Sequence, residues 1–146
     1  MKTVSQILHA KGVVDVHVIG PGETVLEAIR RMAEKGIGAL VVKEGESIIG
    51  MVTERDYARK VILMGRNSDQ TAVREIMTPT VPYVRPQQSN EDCMALMANS
   101  RVRHLPVMEH GRLIGLISMG DLVKDIISDQ QFTIEQLEHY ISGQHV

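Results

Sequence analysis

Gly50-Met-Val-Thr53-Glu-Arg-Asp56 and Gly115-Leu-Ile-Ser118-Met-Gly-Asp121 are one pattern written twice, sixty-five positions apart. In each, an apolar run with strand character (Ile48-Ile-Gly-Met-Val52 or Leu113-Ile-Gly-Leu-Ile117) ends on a hydroxyl residue, and an aspartate follows three positions later. A Ser or Thr with an acid three residues on is the signature of a helix N-terminus, so each copy reads as a strand running directly into a helix. Working outward, the same offset relates Pro21 to Pro86, Met32 to Met97, Ala33 to Ala98, Leu40 to Leu105, Val42 to Val107, Ile49 to Ile114 and Asp56 to Asp121. A fixed period held without a gap over this distance means an internal repeat. Further upstream the offset becomes sixty-nine, matching Val4-Ser-Gln-Ile-Leu8 to Val73-Arg-Glu-Ile-Met77, so the first copy carries about four extra residues between His9 and Val16.

Each repeat reads in one order. Thr24 with Glu27 has capping-box spacing, Val25, Ala28, Ile29, Met32 and Ala33 recur at helical period, and Gly36 stands where a left-handed cap ends the helix. Ser89 with Asp92, then Cys93, Met94, Met97 and Ala98, repeats this more weakly. Two hairpins follow, Ala39–Val42 with Ile48–Val52 around Glu44-Gly45-Glu46, and Leu105–Met108 with Leu113–Ile117 around His110-Gly111. A second helix is expected from Asp56 to about Met64 and from Asp121 to about Ser128. The fold class is therefore α+β, two pseudo-symmetric β-α-β-β-α units whose sheets are expected to pack face to face, since neither copy alone buries a comfortable core. The expected boundaries are 1–64, a polar, exposed linker at 65–72, 73–128, and a tail at 129–146 holding a separate amphipathic helix opened by Thr133 and carrying Ile134, Leu137, Tyr140 and Ile141.

Composition narrows the chemistry. Of 146 residues, 43% are apolar, enough for a real core, while 16 Lys and Arg against 18 Asp and Glu leave a formal charge of −2 and no basic field for nucleic acid or an anionic membrane. With 3% aromatics and no Trp, there are few platforms on which bases stack. No run approaches the roughly 18 apolar residues that span a bilayer, and the N-terminus lacks a signal-peptide core. The single Cys93 forms no intramolecular disulfide, which fits a reducing, cytoplasmic setting. It aligns with Ala28 on an apolar helix face, where filling a core outweighs nucleophilic chemistry. The histidines lack zinc spacing, there is no P-loop and no nucleophile elbow, and Gly36-Ile-Gly38 lies between a helix and a strand, the wrong order for a dinucleotide fingerprint. No catalytic constellation emerges, so the chain is not expected to be an enzyme.

The doubled junction has two readings that can hold together. Thr53 with Asp56, and Ser118 with Asp121, can cap helices; the same pairs, held rigidly at a strand end, also make a fork for the two adjacent hydroxyls of a ribose, with glycine letting the ligand approach the backbone. Arg55, Arg59 and Lys60 put positive charge on the following helix, as a solvated face or, for Arg55, a phosphate contact.

These features resemble the cystathionine-β-synthase (CBS) domain pair from Val4 to about Ser128. The likeness rests on the tandem repeat, on Val73-Arg-Glu-Ile-Met-Thr78, on Arg103-His-Leu-Pro-Val107 and on the doubled Gly-x-x-Thr/Ser-x-x-Asp. The resemblance implies a stand-alone regulatory module that binds an adenosine nucleotide (AMP, ATP or NAD(H)) in clefts between its repeats. It implies ribose contacts at Thr53, Asp56, Ser118 and Asp121 and phosphate contacts at Arg103 and His104. The pocket wall it implies is Met77 and Thr78, with Gly38, Ala39, Met51, Val81 and Leu116. The first copy has Gly36, Gly38 and Ala39 where the second has Arg101, Arg103 and His104, so phosphate-binding cations come mainly from one side and the small residues are expected to leave room for phosphates. A homodimer and an unidentified regulated protein are implied as partners. The competing reading is a protein-interaction scaffold whose clefts bind nothing.

Overall fold

The computed structural model describes residues 2–12 and 16–142. The chain divides into two compact units, a first spanning Asp15–Pro82 and a second that joins Met1–Val14 to Tyr83–Val146. Helix α1 (Val4–Lys11) therefore belongs with the second repeat, and the segment that opens that repeat folds with the first. Residues 13–15 of the expected insertion and 143–146 of the expected tail lie outside the described residues.

In the first unit, β1 (Val18–Ile19), β2 (Ala39–Glu44), β3 (Ser47–Thr53) and β4 (Thr78–Pro79) form one sheet in that order. β1 runs parallel to β2, and β2 and β3 form the expected hairpin with Ala39 opposite Thr53. β4 closes the edge antiparallel, Thr78 opposite Met51. The Val73-Arg-Glu segment is a 3₁₀ turn leading into β4. Helix α2 (Val25–Lys35) lays Val25, Ala28 and Met32 on Leu40, Val42, Val52, Val61 and Ile76, while Ala33 faces solvent. Its cap is half a box: Thr24 Oγ1 accepts from Glu27 N at 3.1 Å, but the Glu27 carboxylate turns outward to Arg30 and Arg31. Gly36 ends it at φ 65°.

The second unit repeats the plan with α4 (Asn90–Ser100), β5 (His104–Glu109), β6 (Arg112–Ser118) and α5 (Met119–Ile141). Its entry strand is reduced to one parallel bridge between Val84 and Val107. Both hairpins carry a register shift at the same repeat position, after Val42 and after Val107. The α4 cap, read as the weaker, is the complete one: Ser89 and Asp92 exchange both bonds. Where Gly36 ends α2, Arg101 ends α4 at φ 56°, a left-handed conformation that costs a side-chain residue about 1–2 kcal/mol. Cys93 is buried in this core beside Met97, Leu105, Val107 and Ile117, and burial, aided by Asp92, pushes its thiol up to about 11, as expected of a core-filling cysteine.

Four expectations are corrected. The helices after the junctions begin at Glu54 and Met119, two residues before the aspartates, because the hydroxyl residue is the cap and the acid is the third helical residue. In the first unit, α3 (Glu54–Tyr57) continues as a π-helical turn, Ala58–Ile62. The tail is no separate helix: α5 runs unbroken through Ser128–Thr133, where no Gly or Pro interrupts it, and Thr133 Oγ1 donates back to the Asp129 carbonyl from inside the helix. In the linker, where 65–67, 69 and 70 are exposed as expected, one residue departs: Thr71 is buried and donates to the Asn67 carbonyl at 2.7 Å.

Leu105→Ala removes a fully buried side chain and is expected to cost about 2–5 kcal/mol in chemical denaturation. Leu63→Ala, at a side chain 77% exposed, should change stability by less than about 0.5 kcal/mol.

Candidate functional site

Both strand–helix junctions close the same way. Thr53 is extended, its Oγ1 accepts from Asp56 N at 3.1 Å, and Asp56 Oδ2 accepts from Thr53 N at 3.0 Å. Ser118 Oγ accepts from Asp121 N at 3.2 Å and Asp121 Oδ2 accepts from Ser118 N at 2.8 Å. The capping reading is thus realised in full. It does not exhaust the carboxylates, because in each the cap takes one oxygen and leaves the other over.

In the first unit the second oxygen, Asp56 Oδ1, accepts from Thr78 Oγ1 at 3.3 Å and lies 3.3 Å from Lys60 Nζ, which also donates to the Ile76 carbonyl at 2.9 Å. Asp56 is buried, so these partners hold it firmly. β4 comes this close because residue 50 is glycine: a Cβ there would stand 2.5 Å from the Thr78 carbonyl oxygen. The structure thus brings Thr53, Asp56, Met51, Met77 and Thr78 to one edge of the sheet. The room expected at Gly38 is already taken, since Glu54 Oε1 lies 2.7 Å from where a Cβ at Gly38 would sit, and Ala39 is buried. The carboxylate makes that corner acidic, which is the reverse of a phosphate seat.

In the second unit Lys11, the last residue of α1, donates to Asp121 Oδ2 at 2.9 Å and to the Leu116 carbonyl at 3.0 Å. Asp121 Oδ1 has no hydrogen bond among the described residues. Burial works against ionising Asp121, yet the Ser118 amide and the Lys11 ammonium outweigh it and hold the carboxyl below its usual range. His104, on the first residue of β5 opposite Ser118, is held below the ordinary imidazole value, first by burial and then by repulsion from Lys11 and Arg103, with Asp121 pulling the other way. Lys11, Arg103, His104 and Asp121 therefore form one electrostatic cluster.

Of the remaining expected residues, Arg55 is exposed on α3, Val81 is half-buried in the segment after β4, and Leu116 lies in the second unit, where its carbonyl accepts from the Lys11 ammonium that also meets Asp121. Sequence reading missed Lys11, whose match to Thr80 at the sixty-nine offset gave no hint of a role, and it missed the buried pair Asn90 and Asp125. Asn90 Nδ2 donates to Asp125 Oδ2 at 2.7 Å and to the Leu122 carbonyl at 3.0 Å, locking α4 onto α5. A polar residue at an apolar helix position is the signal that would have flagged Asn90, which stands where the first repeat has Val25. Among the described residues no group of three or more His, Cys, Asp or Glu is placed to hold a metal, and no helix is long and apolar enough to cross a membrane.

The family model of the CBS domain matches residues 4–63 and again 73–128. The mitochondrial CBS domain-containing protein CBSX3 of Arabidopsis thaliana is 39% identical over 126 residues, 83% of this chain and 61% of its own length, so the chain spans less than two thirds of that relative. A signal-transduction protein with CBS domains from Burkholderia ambifaria superposes with a TM-score of 0.85 at 57% identity, covering 91% of this chain and 99% of that one. CBSX2, seen in complex with AMP, shares the fold at 23% identity and a TM-score of 0.69, with coverage of 89% and 99%.

His104 should titrate with a midpoint below about 6.5 in side-chain NMR, and Lys11→Met should raise it. Its folded midpoint lies below the unfolded one, so the second unit loses stability as pH falls below about 6.5, and above that pH the effect vanishes.

Proposed function

Since the chain belongs to the CBS-domain family, we propose that it is a non-catalytic regulatory module that binds an adenosine nucleotide, AMP, ATP or NAD(H). A ribose is held at Thr53 and Asp56 in the first unit and at Ser118 and Asp121 in the second. The observation that carries this reading is the pair of buried or half-buried carboxylates, each fixed by a reciprocal hydroxyl–amide cap at a strand end. Such a carboxylate accepts the hydroxyls of a vicinal diol without reorganising, because its own position is already determined. Met51, Met77 and Thr78 give the first site apolar and main-chain surface for a base, and Arg103 gives the second a cationic partner for phosphate, with His104 as a neutral hydrogen-bonding partner. The AMP complex of CBSX2 is consistent with that ligand class. The output is a shift between states that bind the nucleotide unequally, passed to a regulated protein. The cytoplasmic location read from composition belongs to the same proposal.

A second copy of the chain is the proposed partner along α5. Val123, Ile127, Ile134, Leu137 and Ile141 recur at three- and four-residue steps and are all exposed, the spacing of a helix-pairing seam broken only at Gln130.

Calorimetric titration with AMP, ATP and NAD+ tests the nucleotide reading. Asp56→Asn and Asp121→Asn keep the capping shape and remove the charge, and each is expected to weaken binding by about tenfold or more. Saturable binding indifferent to both substitutions moves the ribose elsewhere, and no binding to any nucleotide favours the scaffold reading. For self-association, light scattering should give a dimer for the native chain and a monomer for Ile134→Glu combined with Leu137→Glu; an unchanged mass would remove α5 from the interface.

A further inference from the structure

The two junctions are equivalent in backbone and differ in charge, although each carboxylate is answered by one ammonium, Lys60 at Asp56 and Lys11 at Asp121. In the first unit, the group that meets both the Met51 position of the sheet edge and the Asp56 carboxylate is Thr78, a neutral residue. Leu116 and Asp121 are the matching positions in the second unit, and there the group that meets both is the Lys11 ammonium. The backbone bond Glu54 N to Gly38 O at 3.1 Å is likewise repeated as Met119 N to Arg103 O at 2.9 Å. There the first unit has an acid over a glycine and the second a methionine beside an arginine. Lys60 answers Asp56 in the first unit, but Glu54 adds a second negative charge with nothing of the kind in the second. Lys11 stands on Asp121, and His104 feels the charges of Lys11, Asp121 and Arg103.

Lys11 is held in place by the fold. α1 opens on a Thr3–Gln6 capping box, ends on left-handed Gly12, and lies so close to β6 that a Cβ at Gly115 would be 2.8 Å from the Leu8 methyls. An ammonium has three N–H groups. Two serve Leu116 and Asp121, and with 29% of the side chain exposed the third, which has no partner among the described residues, is open to an anion. Lys11 lines a hollow of about 340 Å³ together with Lys124, Asp121, and Lys2 paired with the buried Asp125.

We infer that Lys11 is the specificity-determining residue of the second unit's site, a phosphate-binding ammonium that makes this site prefer the more highly phosphorylated nucleotide while the first unit's site takes ligands of lower charge. The inference rests on the nucleotide reading above and adds to it a residue and a ranking. A phosphate chain beside Asp121 would be repelled by the carboxylate alone; Lys11 cancels that charge and supplies a donor in the same place.

The test is calorimetry on the full chain with adenosine, AMP and ATP at fixed low salt, for the native sequence, Lys11→Met and Lys11→Arg, with thermal unfolding to establish that each variant is folded. Lys11→Met is expected to weaken ATP by about tenfold at one site and adenosine by less than about twofold, with Lys11→Arg recovering most of the loss. Unchanged ATP binding, or equal losses for ATP and adenosine, in a native chain that binds nucleotides overturns this inference alone. A native chain that binds none of the three overturns the nucleotide reading and this inference with it. Should Lys11→Met not fold, Lys11→Gln, which can still donate to the Leu116 carbonyl, carries the same comparison.

Discussion

The structure turns on one local constraint, the reciprocal cap at which β3 and β6 become helices. A strand end leaves amides unsatisfied and a helix start leaves more, and a hydroxyl with an acid three residues on satisfies both in two bonds. The acid cannot then be a free surface carboxylate. It is drawn inward against the sheet edge, Asp56 to 7% exposure, and whatever approaches that edge meets it. In the proposed site the architectural requirement and the binding opportunity share these hydrogen bonds, and both repeats carry the pattern intact. Glycine three residues before each hydroxyl completes the constraint: in the first unit it admits the β4 backbone, in the second the Leu8 side chain.

On that common frame the two units have diverged in electrostatics. The first has a short edge strand, a neutral threonine and an added acid at its junction; the second has a helix whose terminal lysine reaches in, with an arginine and a depressed histidine beside it. The entry segments carry this difference, α1 in the second unit and the 3₁₀ turn with β4 in the first, and each also gives side chains to its own core, Val4 and Ile7 in one and Val73 and Ile76 in the other.

Much of this was legible in the chain. Hairpins, junctions and the helices α2 and α4 follow from period and capping signals that depend on neighbours within a few residues, and the repeat itself doubled every such signal. What escaped depends on tertiary placement. Nothing near Lys11 in sequence says that its ammonium will travel to residue 121, since the pairing exists only because α1 docks on the opposite repeat. Gly38 promised open space, but a glycine's neighbour in the fold, Glu54, can fill it. The continuity of α5 was hidden by Thr133, a residue that caps helices when its backbone is extended and bonds back to the preceding turn when it is not.

A crystal structure of the chain grown with AMP bears most directly on the central claim. The account predicts ribose hydroxyls within about 2.6–3.2 Å of the Asp56 or Asp121 carboxylate, the distance of a charge-assisted hydrogen bond. AMP ordered elsewhere on the molecule, with both carboxylates satisfied by their caps and water alone, would contradict it.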